Sequence, residues 1–181
     1  MDHLDRLVVL MTWLLLGLPQ VQAQRFQKWA VRGDSLLRTG ETPEALGAYE
    51  RSFRIRTNSQ AAFGIAECYR GGMDIGSDSL WYRKAVLLSK QEYTDNDRAQ
   101  EKIAALYRIA YAYQRLDEHE EAVKWFSKDN CHGRAVYLDI GRSLMALKDY
   151  PAALEAFRKY DLYFPGRRTE FIQECEQVMG Q

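Results

Sequence analysis

Cys131-His132 is the pair in this chain that could do covalent chemistry, because an imidazole beside a thiol favours the reactive thiolate. A lone Cys-His dipeptide is weak support for either thiol catalysis or a metal. The three cysteines, Cys68, Cys131 and Cys175, match no metal-ligand spacing. An odd count leaves at least one of them unbridged, although one pair could form a disulfide in an oxidising compartment. His119 sits in the acidic run Glu118-His119-Glu120-Glu121, which suits a helix N-terminus where negative charge complements the dipole. Asp74 and Asp78 flank a glycine-containing loop, but the calcium-loop pattern with its distal bidentate glutamate is missing, and a solvated turn is the reading. No serine occupies a nucleophile elbow, no glycine loop cradles phosphate, and no histidine pair stands at i and i+4. The expectation is a protein without catalytic residues, metal or cofactor.

Recognition is the chemistry the residues do suit. Tyr107, Tyr111 and Arg115 fall at i, i+4 and i+8, one face of a helix. Tyrosines offer amphipathic contact area at low entropic cost, and arginine favours a carboxylate-bearing partner. The whole-chain formal charge is zero, so no global field attracts nucleic acid or an anionic membrane, and no nucleic-acid partner is expected.

The elements that would position such a face are helices. A hydrophobic content of 46% supports a real core, and four prolines and twelve glycines argue against a β-sandwich or a disordered chain. Four small residues, Gly33, Ala66, Ala110 and Gly141, are each followed three positions later by Leu36, Tyr69, Tyr113 and Leu144. Further along each unit comes an aromatic, Tyr49, Tyr82, Phe126 and Phe157 in turn, and Ala45, Ala122 and Ala153 precede three of these by one helical turn. Asp78 takes the alanine position in the remaining unit. Small residues let two helix backbones approach, and the aromatic fills the wedge between them. Pro43 and Pro151 occupy one repeat position, the first turn of a helix, where proline is tolerated.

This pattern resembles the tetratricopeptide repeat, a helix-turn-helix unit of about 34 residues. Trp29, Gly33, Leu36, Gly40, Ala45 and Tyr49 carry the resemblance in the first unit, and Ile140, Gly141, Leu144, Ala153, Phe157 and Pro165 in the fourth. The middle units depart from it at Met73, Asp78, Asp117 and Asp129. The resemblance implies an all-α, right-handed α-solenoid of about four units, at 26–58, 59–92, 102–130 and 134–165, closed by a helix over 167–179. The second step between markers is roughly ten residues longer than the repeat norm, and the extra length lies in the polar stretch Ser89 to Glu101, with a turn expected near Thr94 to Asp97. Gly71-Gly72 should end a helix early, and Phe171, Cys175 and Val178 should share one face of the closing helix, with Ile172 and Met179 beside it.

The resemblance also implies a concave groove lined by the first helix of each unit. Projected onto this sequence, it offers Asp34 and Arg38; Phe63, Glu67 and Arg70; Tyr107, Tyr111, Gln114 and Arg115; and Leu138, Arg142 and Met145. The lysine and asparagine pattern of the family's carboxylate clamp for chaperone tails is absent from this set, so that ligand is not expected; the arginines point instead to a protein or peptide segment of acidic character.

Residues 1–23 read as a cleaved signal peptide. Leu7 to Leu18 is apolar, and Val21-Gln22-Ala23 supplies the small residues a peptidase reads. Twelve apolar residues fall short of the roughly 20 a membrane span needs, so no transmembrane segment is expected after processing. The helical domain would then occupy 24–181 in the periplasm or cell envelope. A leader followed directly by such repeats is similar to the N-terminal module of Gram-negative envelope proteins that continue into a β-propeller and an OmpA-like domain. That downstream half is absent here, which fits a stand-alone relative or a truncated product. The expected function is an exported scaffold that binds a partner segment in its groove; the alternative is a periplasmic chaperone-like binder of extended clients.

Overall fold

The computed structural model of the protein describes residues 24–73, 76–128 and 135–180. The expected leader, and with it Asp74, Asp129, Cys131 and His132, lies outside the described residues. Among the described residues the regular structure is helical throughout. They divide into two compact units, the boundary falling between Trp81 and Tyr82.

The first unit contains α1 (24–39), α2 (Thr42–Ile55), α3 (Ser59–Cys68) and the beginning of α4 (Ser77–Asp95). Gly40 turns α1 into α2 at φ +84°, and the bonds Gly40 N to Leu37 O and Glu41 N to Leu36 O, at 3.2 and 2.9 Å, close the helix end. Pro43 stands in the first turn of α2, as its repeat position implies. Tyr49, 1% exposed, is the centre of the packing. A Cβ added to Gly33 on α1 would lie 2.6 to 2.8 Å from its ring, and one on Gly64 of α3 would overlap it, so glycine on both flanks is what lets the ring fit. Ala45, Ala61, Ile65 and Cys68 complete this core. Asn58 starts α3: its side-chain oxygen accepts from Ala61 N at 2.8 Å, while its amide donates to Arg56 O at 2.7 Å. A π-helical turn, Tyr69–Met73, follows α3, with Gly72 at φ +106° breaking the helix where the paired glycines predict it.

The second unit contains the rest of α4, then α5 (Ala99–Arg115), α6 (His119–Phe126), α7 (Val136–Ala146), α8 (Tyr150–Tyr163) and α9 (Thr169–Met179). From α5 onward each helix packs on the next in sequence. The polar stretch lengthens the helices around a break at 96–98; most of it is exposed, but Lys90, Glu92 and Tyr93 turn toward the neighbouring helices. Lys90 donates to the Tyr113 hydroxyl at 2.7 Å, Arg108 pairs with Glu92 at 3.1 Å, and Tyr93 meets Trp125 edge-on at 5.7 Å. Phe157 fills the space that Gly141 leaves open and stacks on Phe171 of α9 at 5.0 Å. Cys175 is buried in the same cluster, but Val178 and Met179 are 40% and 43% exposed. The last turn of α9 thus runs past the surface that Phe171 and Cys175 cover.

Candidate functional site

In the second unit the partner-facing residues expected from the sequence gather around a carboxylate that was not among them, Asp139. The Tyr111 hydroxyl donates to Asp139 Oδ2 at 2.7 Å, and Gln114 Nε2 donates to the Asp139 carbonyl at 3.1 Å and to Ser143 Oγ at 2.9 Å. These bonds tie α5 to α7. The Tyr111 ring stacks on Tyr107 at 6.2 Å and meets Phe126 edge-on at 5.1 Å. Arg142 Nη1 lies 3.8 Å from Asp139 Oδ1, with its guanidinium 5.4 Å from the Phe171 ring centroid. Arg115, exposed at the end of α5, also acts electrostatically on Asp139.

Burial raises the Asp139 carboxyl above its ordinary range, and the Tyr111 hydrogen bond and the two arginines offset this only in part. Burial, then the Asp139 hydrogen bond, push the Tyr111 phenol far up, so it remains a donor at any physiological pH. The wall therefore presents two guanidiniums and a tyrosine stack over one held carboxylate, an arrangement suited to binding.

Leu138 and Met145 have a different employment: both are half-buried and pack against the core of Ala153, Leu154, Phe157 and Cys175. In the first unit Phe63 and Glu67 are half-buried on α3, and Glu67 pairs with Arg70 on the π turn at 3.1 Å. Arg38 is exposed near the end of α1, its Nε donating to the Asp34 carbonyl at 3.3 Å. The Asp34 side chain accepts from Tyr49 and from Gln60, both at 2.7 Å, which stitches α1 to α2 and α3. Asp34 and Asp139 thus share one employment, each receiving a tyrosine from another helix. The spacing of Asp139 and Arg142 at i and i+3 is the sequence signal that could have drawn attention to Asp139.

His119 has 19% of its side chain exposed, with Nε2 3.7 Å from Asp117 and Nδ1 buried without a hydrogen bond among the described residues. Among the described residues no group of three His, Cys, Asp or Glu is placed to hold a metal ion, and no helix is long and apolar enough to cross a membrane.

A family profile for the tetratricopeptide repeat matches residues 103–128, which covers most of α5 and all of α6. It falls on the third expected unit, although the first and fourth carry the fuller set of signature residues. Solved structures of MamA are similar to the chain. The structure named MamA MSR-1 C2 is 17% identical, with a TM-score of 0.61 over 86% of this chain and 87% of that one. A crystal structure of MamA protein is 18% identical, with a TM-score of 0.57 over 86% and 82%. MamA AMB-1 C2221 is 15% identical, with a TM-score of 0.59 over 86% and 89%. Among curated proteins none matches. At these identities the likeness shows the fold: an all-α solenoid of tetratricopeptide-type hairpins.

Proposed function

We propose that the chain is a protein-interaction scaffold that holds an extended acidic segment of a partner against α5 and α7, the first helices of the hairpins in its second unit, in the cell envelope to which its leader would export it. The observation that carries this is the Tyr107–Tyr111 stack flanked by Arg115 and Arg142. Arg115 and Arg142 both act on Asp139 at this wall, and a guanidinium is the side chain best shaped to receive a carboxylate from a partner. The bonds from Tyr111 and Gln114 fix the two helices that carry these groups, so little order has to be gained on binding. Assembly of an envelope complex follows from the leader and the repeats together, as in the envelope proteins the sequence resembles.

The test uses fluorescein-labelled extended peptides, one rich in Asp and Glu with interspersed aromatics, the other with lysine at the acidic positions. The acidic peptide should bind and its counterpart should not. Tyr107→Ala, Arg115→Ala and Arg142→Ala should each weaken binding by about 1 kcal/mol or more, with helical content unchanged. Lys124→Glu on α6, with its side chain 72% exposed, is the control. Equal weakening by the control would remove the groove reading. Binding of both peptides alike would favour the chaperone-like alternative, in which the aromatic wall receives extended clients whatever their charge. Tyr111 is a poor probe because its loss also cuts the tie to α7.

A further inference from the structure

The neutral charge of the whole chain conceals a strongly basic end in the first unit. Residues 24–32 of α1 and 50–56, the end of α2 with its C-cap, carry Arg25, Lys28, Arg32, Arg51, Arg54 and Arg56 against the single acid Glu50. The antiparallel hairpin brings these segments side by side: Ser52 Oγ donates to the Phe26 carbonyl at 2.8 Å. Among the described residues none of the six cations has an ion-pair partner within 4.0 Å. Two aromatic rings hold three of the guanidiniums instead. Arg51 lies 4.3 Å and Arg32 5.3 Å from the Trp29 ring centroid, and Arg56 lies 5.0 Å from that of Phe26. Stacking occupies the face of a guanidinium and leaves its N–H edge available for an anion. Arg51 and Arg54, with Ile55, also line an open depression on α2. Val31, 54% exposed, stands on α1 next to Arg32 and places an apolar side chain within the basic field.

We propose that this end of the α1–α2 hairpin is a docking surface for an anionic lipid bilayer, its arginines taking phosphodiester headgroups and Trp29, Phe26 and Val31 settling at the interface. The composition favours a bilayer over an acidic protein segment. An indole and a phenyl ring set among cations, with an exposed valine, suit the boundary between headgroups and acyl chains, where amphipathic rings concentrate. Each basic side chain near an anionic surface adds to its attraction, so six together suffice for reversible attachment without a membrane-spanning helix. The inference rests on the first unit alone and is independent of the peptide wall on α5 and α7.

Co-sedimentation of the purified exported protein with vesicles tests it, comparing phosphatidylcholine alone with phosphatidylcholine containing phosphatidylglycerol. Binding should be stronger to the anionic vesicles and should fall as salt is raised from 50 to 500 mM. The variant Arg51→Glu/Arg54→Glu/Arg56→Glu should lose at least about tenfold of its partitioning into anionic vesicles. Arg98→Glu/Arg158→Glu/Arg167→Glu in the second unit makes the same change in net charge and should retain binding. Circular dichroism establishes that both variants fold, and Arg54→Ala/Arg56→Ala, which removes charge without adding any, gives a milder form of the same loss. Equal binding to both vesicle types, or equal loss in both triple variants, would overturn the proposal. So would release from anionic vesicles by poly-glutamate together with tighter direct binding of poly-glutamate, which would assign the surface to an acidic protein.

Discussion

Asp139 pays for its position on the wall, and its titration shows how. Its carboxyl is raised by burial, so the ionised form is disfavoured in the folded protein. Folding gains most from such a group while it is protonated. The gain disappears as pH rises from the unfolded value of about 3.9 through the higher folded value, leaving a net penalty at neutral pH. Asp139→Asn keeps an acceptor for Tyr111 without the charge. It should therefore melt at an equal or higher temperature than the parent at pH 7, with the difference shrinking toward pH 4. A clearly lower melting temperature at pH 7 would mean that the charged bonds to Tyr111 and Arg142 outweigh burial. Cys68 is the other displaced group. Burial pushes its thiol up to about 11, which leaves it protonated and unreactive at neutral pH. The face made by Tyr107, Tyr111 and Arg115 was legible from their four-residue spacing. The i,i+3 spacing of Asp139 and Arg142 could be read as well, but the hydrogen bond that makes Asp139 an anchor comes from Tyr111, 28 residues away on α5.

At the scale of the element, three hairpins close their first helix in the same way. Gly40, Asp117 and Lys148 all take positive φ, at +84°, +58° and +61°. In each, the residue after this one donates five positions back: Glu41 to Leu36, Glu118 to Tyr113, and Asp149 to Leu144, at 2.9 to 3.0 Å. Asp117 departs from the turn glycine of the repeat, yet the turn keeps its geometry and the residue bears the strain. Lysine in this conformation costs roughly 1 kcal/mol that glycine would avoid. Lys148→Gly should raise stability by up to about 1 kcal/mol in urea titration, and Asp117→Gly by less, since aspartate tolerates the left-handed region better. Gly64→Ala should lower it by about 1 to 3 kcal/mol, because the new methyl meets the Tyr49 ring. If Gly64→Ala proved neutral, the close approach of α3 to that ring would not be a determinant of packing. Gly33 could be read from the repeat spacing, whereas the matching role of Gly64 depends on which helix comes to rest on the far side of Tyr49.

For the molecule as a whole, export is the proposal that a single measurement decides. If residues 1–23 are a signal peptide cleaved after Ala23, the intact mass of the exported protein should match a chain beginning at Gln24. A species retaining Met1, or protein confined to the cytosol, would remove the envelope setting while leaving the scaffold reading intact. The sequence by itself determined the class of fold and the helical hairpins. Small and aromatic residues at helical spacing, with prolines at helix starts and turns between them, are local signals that act through backbone propensity and near-neighbour packing. Tertiary structure decided which side chains are spent and which remain for a partner. Leu138 and Met145, equivalent in the linear pattern to groove residues, went into the α8–α9 core, while Tyr111 and Gln114 became ties between α5 and α7. It also gathered six cations of a neutral chain at one end of a hairpin, since antiparallel pairing sets the start of α1 beside the end of α2. Charge and contact depend on distance in space, and a helical period specifies distance only along its own helix.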